Sequence, residues 1–110
     1  MGRLVLTLDE DRSTVLDADG GGTVTIGPDR MRQTWHVTSL SVSVATQDRS
    51  PTATVQAPSG AYLAGTYSGA RDTTDLDLTL PYGSRLRVTW VGGDPGARAS
   101  VAVTGTITVG

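Results

Sequence analysis

Cysteine, lysine, asparagine and phenylalanine do not occur anywhere in this 110-residue chain. Without cysteine there is no disulfide, no thiolate metal ligand and no thiol nucleophile. Small domains made for the extracellular medium often carry disulfides, so their absence favours assembly inside a reducing cell. Without lysine a Walker-type phosphate loop is excluded. All nine basic residues are arginine, and because Lys, Asn and Phe have AT-rich codons, a GC-rich genome accounts for the bias. The arginines are scattered and the net charge is −2, so no basic patch for nucleic acid is expected. There is one histidine, and a transition-metal site built on it would lack nitrogen and sulfur partners. No apolar run approaches membrane-spanning length. Residues 1–8 are too short for the apolar core of a secretory signal, and Asp9-Glu10-Asp11 follows at once. No cofactor, nucleic-acid or membrane partner is expected.

What is present reads as β-structure. The length suits one domain, residues 1–110, with a modest core anchored by two Trp and three Tyr. A core of this size is often supported by association with copies of the same chain or with a larger assembly. Alternation predicts strands at residues 3–8, 14–16, 23–26, 32–46, 52–57, 61–67, 74–80, 84–91 and 97–109. Asp9 to Arg12 reads as a charged turn, and turns rich in Gly, Pro and Asp separate the other strands, such as Asp17-Ala18-Asp19-Gly20-Gly21-Gly22 and Gly92-Gly93-Asp94-Pro95-Gly96. No segment has helical periodicity. Eight to nine short strands imply an all-β fold, a single-domain antiparallel β-sandwich of Greek-key or jelly-roll type.

Residues 32–46 form the longest run, and its apolar phase changes along the way. Trp35 and Val37 are odd, whereas Leu40, Val42 and Val44 are even. A bulge near Thr38-Ser39 is expected, with the two halves serving two different sheets. Residues 14–16 and 23–26 make a plausible hairpin. If the strands at 74–80 and 84–91 pair, outward Asp75 and Asp77 face outward Arg85 and Arg87.

Candidate chemistry is sparse. Asp75 and Asp77 share one strand face, but the alternation of Leu76, Leu78 and Leu80 explains them as a solvated face. Asp17-Ala18-Asp19-Gly20 resembles the start of a calcium loop, yet the twelfth position is Pro28 rather than an acid, so a turn is expected. Gly65-Thr66-Tyr67-Ser68-Gly69 does not have the spacing of a nucleophile elbow. His36 therefore reads as a structural or surface residue. Trp35 and Trp90 share parity with apolar neighbours and read as core rather than sugar platforms. Tyr62, Tyr67 and Tyr82 lie near turns and are the remaining aromatic candidates for a ligand. No catalytic pair emerges, so the chain reads as a non-enzyme.

Several pieces carry a resemblance. They are Gly27-Pro28 with Arg30, Trp35 with Val37, Leu40-Ser41-Val42-Ser43, Gly65-Thr66-Tyr67-Ser68-Gly69, Asp72-Thr73-Thr74-Asp75, Arg85-Leu86 with Val88 and Trp90, and Gly92-Gly93 with Gly96-Ala97 and Ala99. Together they resemble small β proteins of tailed phages that infect actinobacteria. The resemblance implies a virion component, capsid decoration above other roles, assembled in the bacterial host cytoplasm. The implied partner is the major capsid protein or another virion protein, with a homo-oligomer, preferably a trimer, on the lattice. The alternative is a head- or tail-associated module that binds carbohydrate or a receptor. Residues 1–26 lie outside the pattern and suggest an N-terminal strand, hairpin or assembly arm. Leu4, Leu6 and Leu8 would then be its interaction face, added to the sheet edge of a neighbouring subunit. On this reading, deleting residues 1–9 should weaken assembly more than monomer folding, as judged by sizing and thermal melts of the truncated chain.

Overall fold

The computed structural model describes residues 4–45, 48–49, 51–60, 67–68 and 71–110. These residues form β1 (Leu4–Val15), β2 (Gly22–Ile26), β3 (Gln33–Val44), β4 (Thr52–Gln56), β5 (Tyr67–Ser68), β6 (Arg71–Leu80), β7 (Leu86–Val91) and β8 (Arg98–Val109), with no helix among them. Seven of these strands have five residues or more, and β5 has two.

Each early strand pairs antiparallel with a late one: β1 with β8, β2 with β7, β3 with β6 and β4 with β5. The chain is a ribbon that doubles back between β4 and β5 and is then rolled up. Two lateral pairings, β3 with β8 and β4 with β7, close the roll. They give two four-stranded sheets, ordered β1-β8-β3-β6 and β2-β7-β4-β5. This is the jelly-roll form of the β-sandwich. The sheets are unequal. Strands of the first have 10 to 12 residues, while those of the second have 2 to 6. Twelve extended residues span roughly 40 Å, which fits a molecule measuring 54 × 23 × 22 Å. The long sheet therefore outruns the short one.

The core lies between the two inner faces. Trp35, Val37, Leu40, Val42 and Val44 of β3, with Ala99, Val101, Val103 and Ile107 of β8, are buried on one side. Val24 and Ile26 of β2, Ala53 and Val55 of β4, and Leu86, Val88 and Trp90 of β7 meet them from the other. Both tryptophans are core residues, at 2% and 1% exposure.

The phase change in β3 is a bulge, but the strand does not divide between two sheets. Val37 pairs with Gly105 and Ser39 with Thr104, so Thr38 is an extra residue opposite β8. Inserting one residue re-phases the alternation. Trp35 and Leu40 thus point to the same inner face although their parities differ. Glycine is needed opposite the bulge, because a Cβ at position 105 would collide with the His36 carbonyl oxygen.

Three further expectations are corrected. Residues 14–16 and 23–26 do not form a hairpin, because β1 and β2 belong to different sheets. Asp75 and Asp77 do not face Arg85 and Arg87, since the chain crosses between sheets from β6 to β7. Residues 9–12 are not a turn, because β1 continues through them in register with β8. Their charges are tolerated there because β1 is an edge strand with access to solvent.

Where the chain leaves β1, the Asp17 carboxylate Oδ1 accepts backbone N–H bonds from Asp19 at 2.9 Å and Gly21 at 3.0 Å. This turn docks onto the one after β7, where the Gly93 N–H donates to the Gly20 carbonyl at 2.9 Å. Gly20 has φ +78°, and a Cβ there would strike the Gly93 carbonyl, so both conformation and space demand glycine.

Gly105→Val should lower the unfolding free energy in urea by about 2–4 kcal/mol, the range of a severe backbone clash. An unchanged midpoint would show that the bulge can move elsewhere.

Candidate functional site

The six sequence candidates do not converge. Leu4 and Leu6 are exposed at 57% and 42%, but Leu8 is fully buried. The same strand face therefore starts as surface and ends as core. Deleting residues 1–9 would remove a core side chain along with the exposed ones, so the truncation cannot separate assembly from folding, and substitutions at Leu4 and Leu6 are the cleaner probe. Tyr82 is 53% exposed in the turn between β6 and β7. The β6 edge and the β1 edge are three strand spacings apart, roughly 14 Å. Tyr62 lies outside the described residues, as does the side chain of Tyr67.

The outer face of the long sheet is rich in hydroxyls. Ser41 and Thr73 are bonded at 2.8 Å, and Ser43 and Ser100 at 2.7 Å, each across neighbouring strands. His36 is on this face, its Nε2 2.6 Å from Asp77 Oδ1. Both side chains are well exposed, at 45% and 91%, so water screens the pair. A concave region of about 410 Å³ beside it is lined by Arg32, Thr34, His36, Thr79 and Thr108. Arg32 has φ 67°, the one non-glycine residue in the left-handed region among the described residues. Its carbonyl accepts the Gly110 N–H at 3.1 Å. Sequence patterns gave no sign of this position.

Two other concavities flank the sandwich. One, about 460 Å³, lies on the outer face of the short sheet over Thr25, Gln56 and Arg87 and extends to Gly83 and Ser84, next to Tyr82. The other, about 360 Å³, lies between β1 and the segment before β3 and is lined by Leu6, Glu10, Arg12, Asp29 and Trp35. Arg12 reaches Glu10 at 3.5 Å and Asp29 at 4.0 Å there. The indole N–H of Trp35 is buried without a hydrogen-bond partner, which costs stability. Among the described residues no three metal-ligating side chains cluster. The Asp17–Asp19 turn uses its first carboxylate on its own backbone.

No protein-family model matches the chain, and none of the curated proteins matches it. Two solved structures of infectious bursal disease virus align with it. The Gt-strain structure is 16% identical with a TM-score of 0.35, covering 97% of this chain and 32% of that one. The Gx-strain structure is 17% identical with a TM-score of 0.33, covering 96% and 35%. The chain thus spans about a third of the length of each, and a likeness this distant assigns no function.

Asp77→Asn should change stability by less than about 1 kcal/mol, as for other exposed ion pairs. Trp35→Phe should cost less than about 3 kcal/mol, because removing the orphaned N–H offsets part of the lost packing. Chemical denaturation checks both, and a large loss in Asp77→Asn would mean the pair has a structural role.

Proposed function

We propose that the chain is a non-enzymatic structural component of a tailed-phage virion that decorates the capsid by binding its lattice. The observation that carries this reading is the start of β1, where Leu4, Val5 and Leu6 are exposed at 57%, 60% and 42% on a sheet edge with no further strand among the described residues. Three consecutive exposed apolar residues on a sheet edge are a liability for a free monomer and an asset in an assembly. The sequence resemblance to small virion proteins points the same way. The jelly-roll architecture is compatible with it, since that fold serves in virus particles and in lectins alike. The mechanism is linkage: a protein that bridges neighbouring capsid subunits favours the assembled shell by mass action.

The second reading is a carbohydrate- or receptor-binding module. Exposed Tyr82 beside the concavity over Gln56 and Arg87 favours it. A tyrosine ring with nearby amide and guanidinium donors suits a sugar.

Mass spectrometry of purified virions should find the chain in many copies, and electron microscopy should place three copies about each lattice threefold. Its absence from intact virions would sink the decoration reading. Loss of glycan-array binding in Tyr82→Ala, with the wild-type chain positive, would favour the second reading instead.

A further inference from the structure

We propose that residues 4–8 of β1 pair antiparallel with the same residues of a second copy, with Leu6 opposite Leu6 of that copy. The strand has β8 on one side along its full length and no strand on the other among the described residues. Its outer backbone N–H and C=O groups can therefore accept another strand.

Charge selects which part of the edge does so. The two edges of the long sheet are β1 and β6. β1 carries Asp9, Glu10 and Asp11, and β6 carries Asp72, Asp75 and Asp77. Residues 4–8 are the one five-residue run on either edge without a carboxylate, and five residues make an ordinary strand. Pairing β1 with β6 of another copy over eight residues or more, in a register that keeps a common face, always sets one carboxylate opposite another. Like charges directly opposite one another destabilise a sheet.

Pairing this carboxylate-free run with the same run of a second copy sets the register at its middle residue, Leu6. Opposite residues of a continuous sheet share a face, so odd must meet odd and even must meet even. Centring on Asp9, Glu10 or Asp11 places a carboxylate against its own copy. Centring on Leu6 places Leu4 opposite Leu8, and Val5 opposite Thr7. The inner-face row Leu6–Ile107–Trp35–Leu80 then continues into Leu6 of the second copy. The contact is isologous, with one patch meeting itself. A two-fold contact cannot close a ring of three, so it would join copies belonging to neighbouring trios.

Five residues a side are too few to bury the roughly 1,200 Å² of a stable independent dimer. The pairing is therefore transient between free chains. On the lattice reading proposed above, copies held side by side gain effective concentration and the contact persists.

The chain has no cysteine, which makes cross-linking specific. Val5 and Thr7 are both exposed, so V5C and T7C should each fold. Directly opposite residues have Cα atoms about 4.5–5.5 Å apart, within disulfide reach. After mild oxidation of an equimolar mixture at high protein concentration, mass spectrometry should show the V5C–T7C heterodisulfide in several-fold excess over both homodisulfides. Leu4→Asp in both chains should bring it down to the statistical proportion. A statistical mixture from the start, no cross-linking, or an excess of either homodisulfide would overturn the proposal. The test uses purified chain alone, so its failure leaves the virion reading intact, and absence from virions leaves the pairing intact.

Discussion

The β3 backbone lies so near β8 at Gly105 that a side chain there would strike the His36 carbonyl. The long sheet depends on this approach. β8 is paired on both sides, by β1 and by β3, so its register fixes that of both neighbours. The bulge at Thr38 is what brings Trp35 and Val37 into phase with Leu40, Val42 and Val44 on one inner face. Slip either half of β3 by one residue and its apolar side chains turn to solvent. The short sheet would then have nothing to pack against, and its own core residues Val88 and Trp90 would lose their opposing layer.

The surfaces divide along the same geometry. Mid-sheet positions on the outer face of the long sheet carry hydroxyl side chains that bond across strands. Carboxylates gather on the edge strands β1 and β6, where solvent reaches them. Charged edges discourage unplanned strand pairing. The opening residues of β1 break that pattern, because they are apolar, exposed and unguarded. Leu8 marks the boundary, four residues along the strand from Leu4 but wholly inside the core.

Alternation in the sequence revealed which side chains face inward. Trp35, Trp90, Val88, Val101 and Val103 were legible because a period of two admits one inner face. The bulge was legible because it changes parity. Which strand lies beside which was not, since alternation identifies a face and not a neighbour. Asp75 and Asp77 looked complementary to Arg85 and Arg87, yet the ribbon rolls so that these consecutive strands enter opposite sheets. Residues 9–12 looked like a turn because charge is common in turns, whereas an edge strand accommodates charge equally well. Leu8 could not be told from Leu4 and Leu6, because burial along one face depends on how far the opposing sheet extends. Arg32 and its left-handed backbone left no trace in composition or pattern.

The rolled ribbon also sets an order of events during synthesis. Of the eight strands, β1 is synthesised before all the others and its sheet partner β8 after them. At the usual ~5–20 residues per second, several seconds separate them. Through that interval the leucine-rich start of β1 has no intramolecular partner, while β3 and β6 can already pair with each other. Non-local pairing of this kind makes folding slow. Nascent chains on neighbouring ribosomes of one message thus display the same sticky segment side by side before either has folded, which couples the yield of folded protein to how densely its message is translated.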